Sequence, residues 1–185
     1  MIDELRKRLD EKRFKHSLGV AKLAKELAGK YGEDEEKAYV AGILHDCAKY
    51  IPFETAIELC ENFGIVLDDI EKKNPALIHA PLGAEVAKRD FDLNDEDAYN
   101  AIKYHTIGRV GMSNLEKIVY VADMAEENRN YAGVDEVREA LNRSLDDGVL
   151  TALRFTVRYN MDRFKLLHPE TLKVWNSILE DKEKK

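Results

Sequence analysis

Cysteine, proline and long apolar runs are all scarce in this chain. The 185 residues include two cysteines, Cys47 and Cys60, which are too few for a disulfide framework and suit a reducing compartment. The clearest apolar run, residues 38–44, is far shorter than the roughly 18 residues that a membrane span requires. The first residues also lack the apolar segment of a signal peptide. We therefore expect a cytoplasmic protein without a membrane partner.

Basic residues are outnumbered by acidic ones. Lys and Arg together number 29 and Asp and Glu number 36, so the formal net charge is −7. A general nucleic-acid binder needs a net basic surface, so we expect no nucleic-acid partner, and an RNA-associated role fits poorly. A local basic pocket for a small phosphorylated ligand is compatible with this overall charge.

Alternating β patterns are missing too, and nearly every segment has helical periodicity. The tripeptide Ile65-Val66-Leu67 is the only β-branched run, and it is too short to build a sheet. We predict an all-α fold of nine or ten helices, forming a single domain over residues 1–185 with a frayed tail at 181–185. The predicted helices span residues 14–30, 35–45, 53–63, 75–89, 95–104, 114–125, 134–143, 145–166 and 169 onward.

Cap residues support these helix starts. Side chains that commonly accept a bond from the first helical turn stand at Asp34, Asn74, Asn94, Ser113 and Ser144. The Ser113 and Glu116 spacing predicts a capping box.

Histidines carry the main chemical signal. His16, His79 and His105 each align with an apolar stripe of a predicted helix, so all three side chains point inward. A buried polar group without a partner costs about 1–3 kcal/mol. A lone inward histidine more often bonds a backbone carbonyl, and that alternative stays open for each one. A shared metal cluster would satisfy all of them at once.

Two carboxylates extend this histidine set. His45 and Asp46 are adjacent, and adjacent helical positions do not share a face. The pair therefore suits a helix end, where His binds one metal and Asp reaches two. Asp123 follows four apolar or aromatic residues and adds a second carboxylate. Nitrogen and oxygen donors suit iron, manganese, zinc or nickel, and the donor chemistry does not choose among them.

The order of these residues resembles the HD superfamily of metal-dependent phosphohydrolases, and the two extra histidines resemble its dinuclear branch. Longer stretches resemble the YqeK-type symmetrical bis(5′-nucleosyl)-tetraphosphatases over about residues 13–175. They are residues 13–17, 41–49, 77–84, 104–108, 117–123, 129–134 and 167–172. One departure is Glu126-Glu127, where family members often carry a proline; we interpret it as a loop change that leaves the ligands intact.

The resemblance implies a metal centre with two iron ions, although manganese or another first-row metal is compatible. It implies that one ion is held by His16, His45, Asp46 and Asp123, and the other by His79 and His105 with Asp46 bridging. Two ions roughly 3.5–4 Å apart activate a bridging water as hydroxide and clamp a phosphoryl group.

The implied partner is a dinucleoside polyphosphate or an ADP-like nucleotide. The implied reaction is symmetrical cleavage of diadenosine tetraphosphate into two ADP, with Asp46, Lys49 and Arg129 in catalytic roles. Arg109 is a weaker phosphate candidate. The full set of implied substrate contacts is Asp46, Cys47, Ala48, Lys49, His79, His105, Thr106, Asp123, Arg129, His168 and Thr171.

Several alternatives stay open at this point. Cys47 follows Asp46 and faces elsewhere on a helix, which favours a core filler over a ligand contact. His168 stands before Pro169, where it would also serve as a helix cap. Lys49 and Arg129 could be ordinary surface cations. The chain as a whole could be another HD-type nucleotidase or a non-catalytic nucleotide-binding signalling module, and either a monomer or a homodimer.

Overall fold

The computed structural model of this protein describes residues 1–184, and these residues contain ten α-helices, a short 3₁₀ helix and no β-strand. The prediction of an all-α fold is confirmed. The helices, in chain order, are α1 (Ile2–Arg8), α2 (Glu11–Tyr31), α3 (Glu35–Leu44), α4 (Phe53–Asn62), α5 (Pro75–Asp90), α6 (Glu96–Lys103), α7 (Asn114–Ala125), α8 (Val134–Arg143), α9 (Leu145–Met161) and α10 (Pro169–Glu183), with the 3₁₀ helix at Glu71–Lys73. Within the described residues, none of these helices is long and apolar enough to cross a bilayer.

Local capping explains most helix starts. The side chains of Asp34, Asn74 and Ser144 each accept a hydrogen bond from the first turn of the helix that follows. Ser113 and Glu116 form the predicted capping box. These four predictions are confirmed.

The predicted cap at Asn94 is wrong. Asp95 caps α6 instead, because its carboxylate accepts from the backbone N–H of Ala98 at 2.9 Å. The side chain of Asn94 donates to the carbonyl of Asp92, at 3.1 Å, and is therefore turned away from the helix.

Helix α9 is shorter than its apolar pattern predicts. It ends at Met161 rather than near Leu166, and the chain then turns through Phe164, whose φ is +52°. A left-handed residue cannot continue a right-handed helix, so a loop leads to α10. Helix α10 continues through Glu183, although fraying was expected over 181–185, and Lys185 lies outside the described residues.

The core lies where α2, α3 and α7 pack together, with α5, α6 and α9 around them. Gly42 in α3 allows a close approach to α2. A Cβ at this position would lie 2.8 Å from the Cα of Ala21 in α2. The side chains that follow α3 are thereby brought beside those of α2.

We predict that Gly42→Ala lowers the free energy of unfolding by about 1–3 kcal/mol, measured by urea denaturation. The added methyl group meets backbone, which has little room to move, and this overpacking outweighs the better helix propensity of alanine.

Gly29→Ala is the matched control, because it changes the same residue type in the neighbouring helix α2. There a Cβ would meet only the carboxylate end of the Glu35 side chain, at 2.9 Å. We expect its stability to be unchanged or slightly raised. Equal losses in the two variants would contradict the close approach at Gly42.

Candidate active site

Six side chains from five parts of the fold converge at the centre of the molecule. They come from the first half of α2, the turn after α3, the buried face of α5, the turn after α6 and the last part of α7. Neighbouring imidazole rings along this group have centroids 5.0–5.3 Å apart. We call these six residues the ligand cluster, because each can offer a donor atom to a metal: His16, His45, Asp46, His79, His105 and Asp123.

Asp46 stands between two sets of histidines. Its Oδ2 lies 3.2 Å from Nε2 of His45 and 3.9 Å from Nε2 of His16. Its Oδ1 lies 3.0 Å from Nε2 of His79 and 3.9 Å from Nε2 of His105. Each carboxylate oxygen therefore faces a different pair of imidazoles, as a bridging carboxylate would.

Asp123 completes the first of these groups. Its Oδ1 lies 2.9 Å from Nε2 of His16 and 3.7 Å from Nε2 of His45. The described chain contains two groups of three residues whose potential ligand atoms all lie within 4.8 Å of one another inside the group. One group is His16, His45 and Asp123, and the other is His45, Asp46 and His105.

Backbone carbonyls set the orientation of two of the imidazole rings. Nδ1 of His45 donates to the carbonyl of Gly42, and Nδ1 of His105 donates to that of Ile102, both at 2.7 Å. Because a carbonyl oxygen only accepts, the hydrogen in each neutral ring is on Nδ1. The lone pair of Nε2 is then directed at Asp46 and its neighbours, which is the arrangement metal-binding histidines adopt.

Burial keeps the second histidine pair neutral. It lowers the pKa of His105 to about 3, with help from the nearby His79 and His45 rings, and it also lowers the pKa of His79. For Asp46, burial alone would raise the pKa, but His45 and His79 outweigh it and hold that pKa well below its usual value. The second pair, His79 and His105, is therefore neutral beside an ionised Asp46. At His45, by contrast, Asp46 outweighs burial and raises the pKa of that ring.

Two buried atoms at this centre fit a metal site. Among the described residues, Nε2 of His45 and Oδ1 of Asp46 have no hydrogen-bond partner. An orphaned buried polar atom costs about 1–3 kcal/mol, which a metal–ligand bond would more than offset. The donors are imidazole nitrogens and carboxylate oxygens, a set that suits first-row divalent ions.

Three cations surround the two carboxylates. Nη1 of Arg13 lies 2.8 Å from Oδ2 of Asp46, and Nζ of Lys49 lies 3.7 Å from Oδ1 of the same residue. Arg129 pairs with the carboxylate of Asp123, and its Nε donates to the Asp123 carbonyl at 2.6 Å. The ligand cluster is therefore electrostatically prepared for additional negative charge.

Comparison with known proteins gives the family. A family model described as HD domain matches residues 13–128. The chain belongs to the HD-domain family. The symmetrical bis(5′-nucleosyl)-tetraphosphatase of Bacillus subtilis (strain 168) is 38% identical to it, covering 95% of this chain and 94% of the relative. The protein of the same name from Halalkalibacterium halodurans is 36% identical, covering 92% and 91%.

A solved structure agrees with this placement. The crystal structure of a predicted HD superfamily hydrolase involved in NAD metabolism, from Clostridium acetobutylicum, superposes with a TM-score of 0.94. It is 44% identical to this chain, and the match covers 97% of this chain and 95% of that one. The family resemblance read from the sequence motifs is confirmed.

The cavity beside the ligand cluster of this HD-domain protein has a volume of about 380 Å³. The structure brings most of the predicted substrate contacts to its wall: Asp46, Lys49, His79, His105, Thr106, Asp123, Arg129, His168 and Thr171. His168 also caps α10, since its Nδ1 accepts from the backbone N–H of Glu170 at 3.2 Å. Both interpretations of His168 are thus compatible with its position.

Three other candidates lie away from this cavity. Cys47 is buried, and its Sγ donates to the carbonyl of Gly83 at 3.3 Å, while Ala48 packs in the same part of the core. Both side chains fill space between helices and neither lines the cavity, so their role as substrate contacts stays a prediction. Arg109 forms an ion pair with Glu116 at 2.8 Å and is correspondingly turned from the cavity.

Sequence reasoning missed two participants. Arg13 lies three residues before His16 on the same face of α2, so its spacing was a usable signal. The second is Glu126, and the prediction that the change at Glu126-Glu127 does not affect the ligands is wrong. The buried Glu126 carboxylate accepts from Nδ1 of His16 at 3.0 Å and from the backbone N–H of Asn128 at 2.7 Å. A Cβ at Gly19 would lie 2.3 Å from Oε2 of Glu126, so glycine leaves room for this carboxylate.

We predict that Glu126→Ala weakens Mn²⁺ binding roughly 10- to 100-fold, measured by competition with a fluorescent chelator. Without its acceptor, the ring of His16 loses both its orientation and its preferred tautomer.

The neighbouring Glu127→Ala is the matched control, because that exposed side chain pairs only with Lys22, at 3.4 Å, among the contacts of the described residues. It should leave Mn²⁺ affinity unchanged. Equal affinities in both variants, with intact melting curves, would remove Glu126 from the support of the site.

Proposed function

We propose that this HD-domain protein hydrolyses diadenosine tetraphosphate symmetrically, adding one water and releasing two ADP. The proposal is supported by relatives that are named for this activity and that match this chain over nearly their whole length. The observation that carries it is the position of Asp46, whose two oxygens face two histidine pairs in a cavity bordered by four Lys and Arg side chains.

We further propose that the six clustered side chains hold two first-row metal ions, with iron as the metal that the family resemblance implies. His16, His45, Asp46 and Asp123 would hold one ion, and His79 and His105 would hold the other, with Asp46 shared between them. When bound, such ions lower the pKa of a coordinated water and polarise phosphoryl oxygens.

The protein's own cations would bind and orient the polyphosphate. Arg13 lies beside Oδ2 of Asp46 and Lys49 beside its Oδ1, and Arg129 borders Asp123 on α7. A guanidinium group matches two phosphate oxygens in a planar fork, whereas the Lys49 ammonium acts as a point charge. Contacts on both sides of the reacting phosphorus favour a cut at the middle of the tetraphosphate chain.

The reaction products test the proposed cleavage. Protein loaded with Mn²⁺ or Fe²⁺ is incubated with diadenosine tetraphosphate, and the nucleotides are separated by ion-exchange chromatography. We expect two ADP per substrate and no turnover in excess chelator. Equal amounts of ATP and AMP would contradict a symmetrical cut, and phosphate release from ADP would indicate a nucleotidase. Binding without turnover in metal-loaded protein would favour a signalling module.

Replacement of Arg129 tests the phosphate contact. We predict that Arg129→Ala lowers kcat/KM roughly 10²- to 10³-fold, as expected for one preorganised charge that stabilises the transition state. Arg129→Lys should recover only part of this loss, because an ammonium group lacks the planar fork.

Metal content and thermal midpoint are measured on the same preparations, with Arg143→Ala as a control for loss of an exposed arginine. We expect metal content to be unchanged in all of them. A fall in activity that follows lost metal would instead assign Arg129 to holding Asp123.

A further inference from the structure

A second cavity, larger than the first, lies next to the proposed metal centre. Its volume is about 800 Å³, within the range of pockets that bind small organic ligands. It is bordered by the loop between α7 and α8 and by the second half of α9, and the six clustered ligand residues do not line it. The two cavities share four residues: Met124, Arg129, Thr156 and Tyr159. They therefore adjoin at the Arg129 side chain.

Aromatic side chains form much of this second wall. The half-buried rings of Tyr131 and Phe155 meet edge to face with centroids 6.1 Å apart. The hydroxyl of Tyr131 donates to the carbonyl of Met124 at 3.0 Å, which holds that ring in place. A Cβ at Gly133, whose φ is +103°, would lie 2.1 Å from the Phe155 ring, so glycine makes room for it. The wall thus presents fixed aromatic surface to the cavity.

Charges at the second cavity are nearly balanced. Arg129, Arg158 and Arg163 bring positive charge, and Glu136 and Asp162 bring negative charge. The first cavity has one more cation than the second, because Arg13, Lys49, Arg129 and Lys165 line it together with the carboxylates of Asp46 and Asp123. A nearly neutral, aromatic cavity suits an uncharged nucleoside, whereas the cationic one suits phosphates. Any nucleotide base can stack on an aromatic ring, because every base has a π face.

We propose that the second cavity binds one nucleoside of the dinucleotide substrate, with its base against Tyr131 and Phe155. The proposal rests on the proposed function, because a symmetrical cut at the metal centre leaves one ADP on each side of the scissile bond. One half of the substrate then occupies the first cavity, and the other half extends past the Arg129 side chain into the second cavity. Arg129 thereby lies between the two halves.

The experiment fills the second cavity without touching the ligand cluster. Ala132 is exposed and lines only this cavity of the two, so Ala132→Trp places a large ring inside it. Glu139→Trp is the matched control, because Glu139 is exposed on α8 and lines neither cavity. Each variant is assayed with diadenosine tetraphosphate and with adenosine 5′-tetraphosphate, which has a single nucleoside and gives ADP and pyrophosphate by the same cut.

We expect Ala132→Trp to lower kcat/KM for the dinucleotide by roughly 5- to 150-fold, the range for losing one stacked base. The value for adenosine 5′-tetraphosphate should stay unchanged, and the control should behave as wild type with both substrates. Equal losses with both substrates would overturn the proposal, and so would no loss with either. Should Ala132→Trp fail to fold, Glu136→Trp fills the same cavity from α8 and has the same expected outcomes.

Binding of ADP separates this proposal from the proposed function. Equilibrium dialysis of metal-loaded protein should find two ADP per chain in wild type and one in Ala132→Trp. That result without hydrolysis of the dinucleotide would refute the proposed function and leave the second cavity as a nucleotide site. One ADP per chain in both proteins would overturn the second site whatever the activity.

Discussion

The buried carboxylate of Asp46 is the constraint on which the rest of this structure depends. Its side chain is only 2% exposed, and an ionised group taken out of water costs several kcal/mol unless charge and hydrogen bonds compensate. The compensation comes from His45, the preceding residue, and from two residues that are remote in sequence, Arg13 on α2 and His79 on α5. The helices must therefore converge on this one residue.

Small residues make that convergence possible. Gly42 brings α3 against the backbone of α2, and Gly19 leaves space for the carboxylate of Glu126. Carbonyls at the ends of α3 and α6 then orient His45 and His105 through Nδ1. Helix packing and the orientation of His45 are therefore coupled. The same residue, Gly42, permits the close approach of α3 to α2 and supplies the carbonyl that accepts from the His45 ring.

The two adjoining cavities divide charge in a way that corresponds to a dinucleoside polyphosphate. Such a molecule is anionic in the middle and neutral at both ends. Arg13, Lys49 and Arg129 concentrate positive charge near the proposed metals, while Tyr131 and Phe155 line a nearly neutral space beyond. Burial at the reacting centre strengthens these electrostatic contacts, since the effective dielectric constant there is lower than in water.

Much of the fold and the order of the site residues could be predicted from the sequence, because helical periodicity and capping are local. The capping rule failed at α6, where Asn94 and Asp95 are both suitable N-cap residues and Asp95 is the one used. Helical periodicity failed at the end of α9, because apolar residues continue past the turn at Phe164. The hydrogen bond between His16 and Glu126 joins residues 110 positions apart, and no local pattern encodes it. The amino-acid order alone specifies which groups are available for the site; the distances between helices, set only when the core packs, establish which atoms face one another.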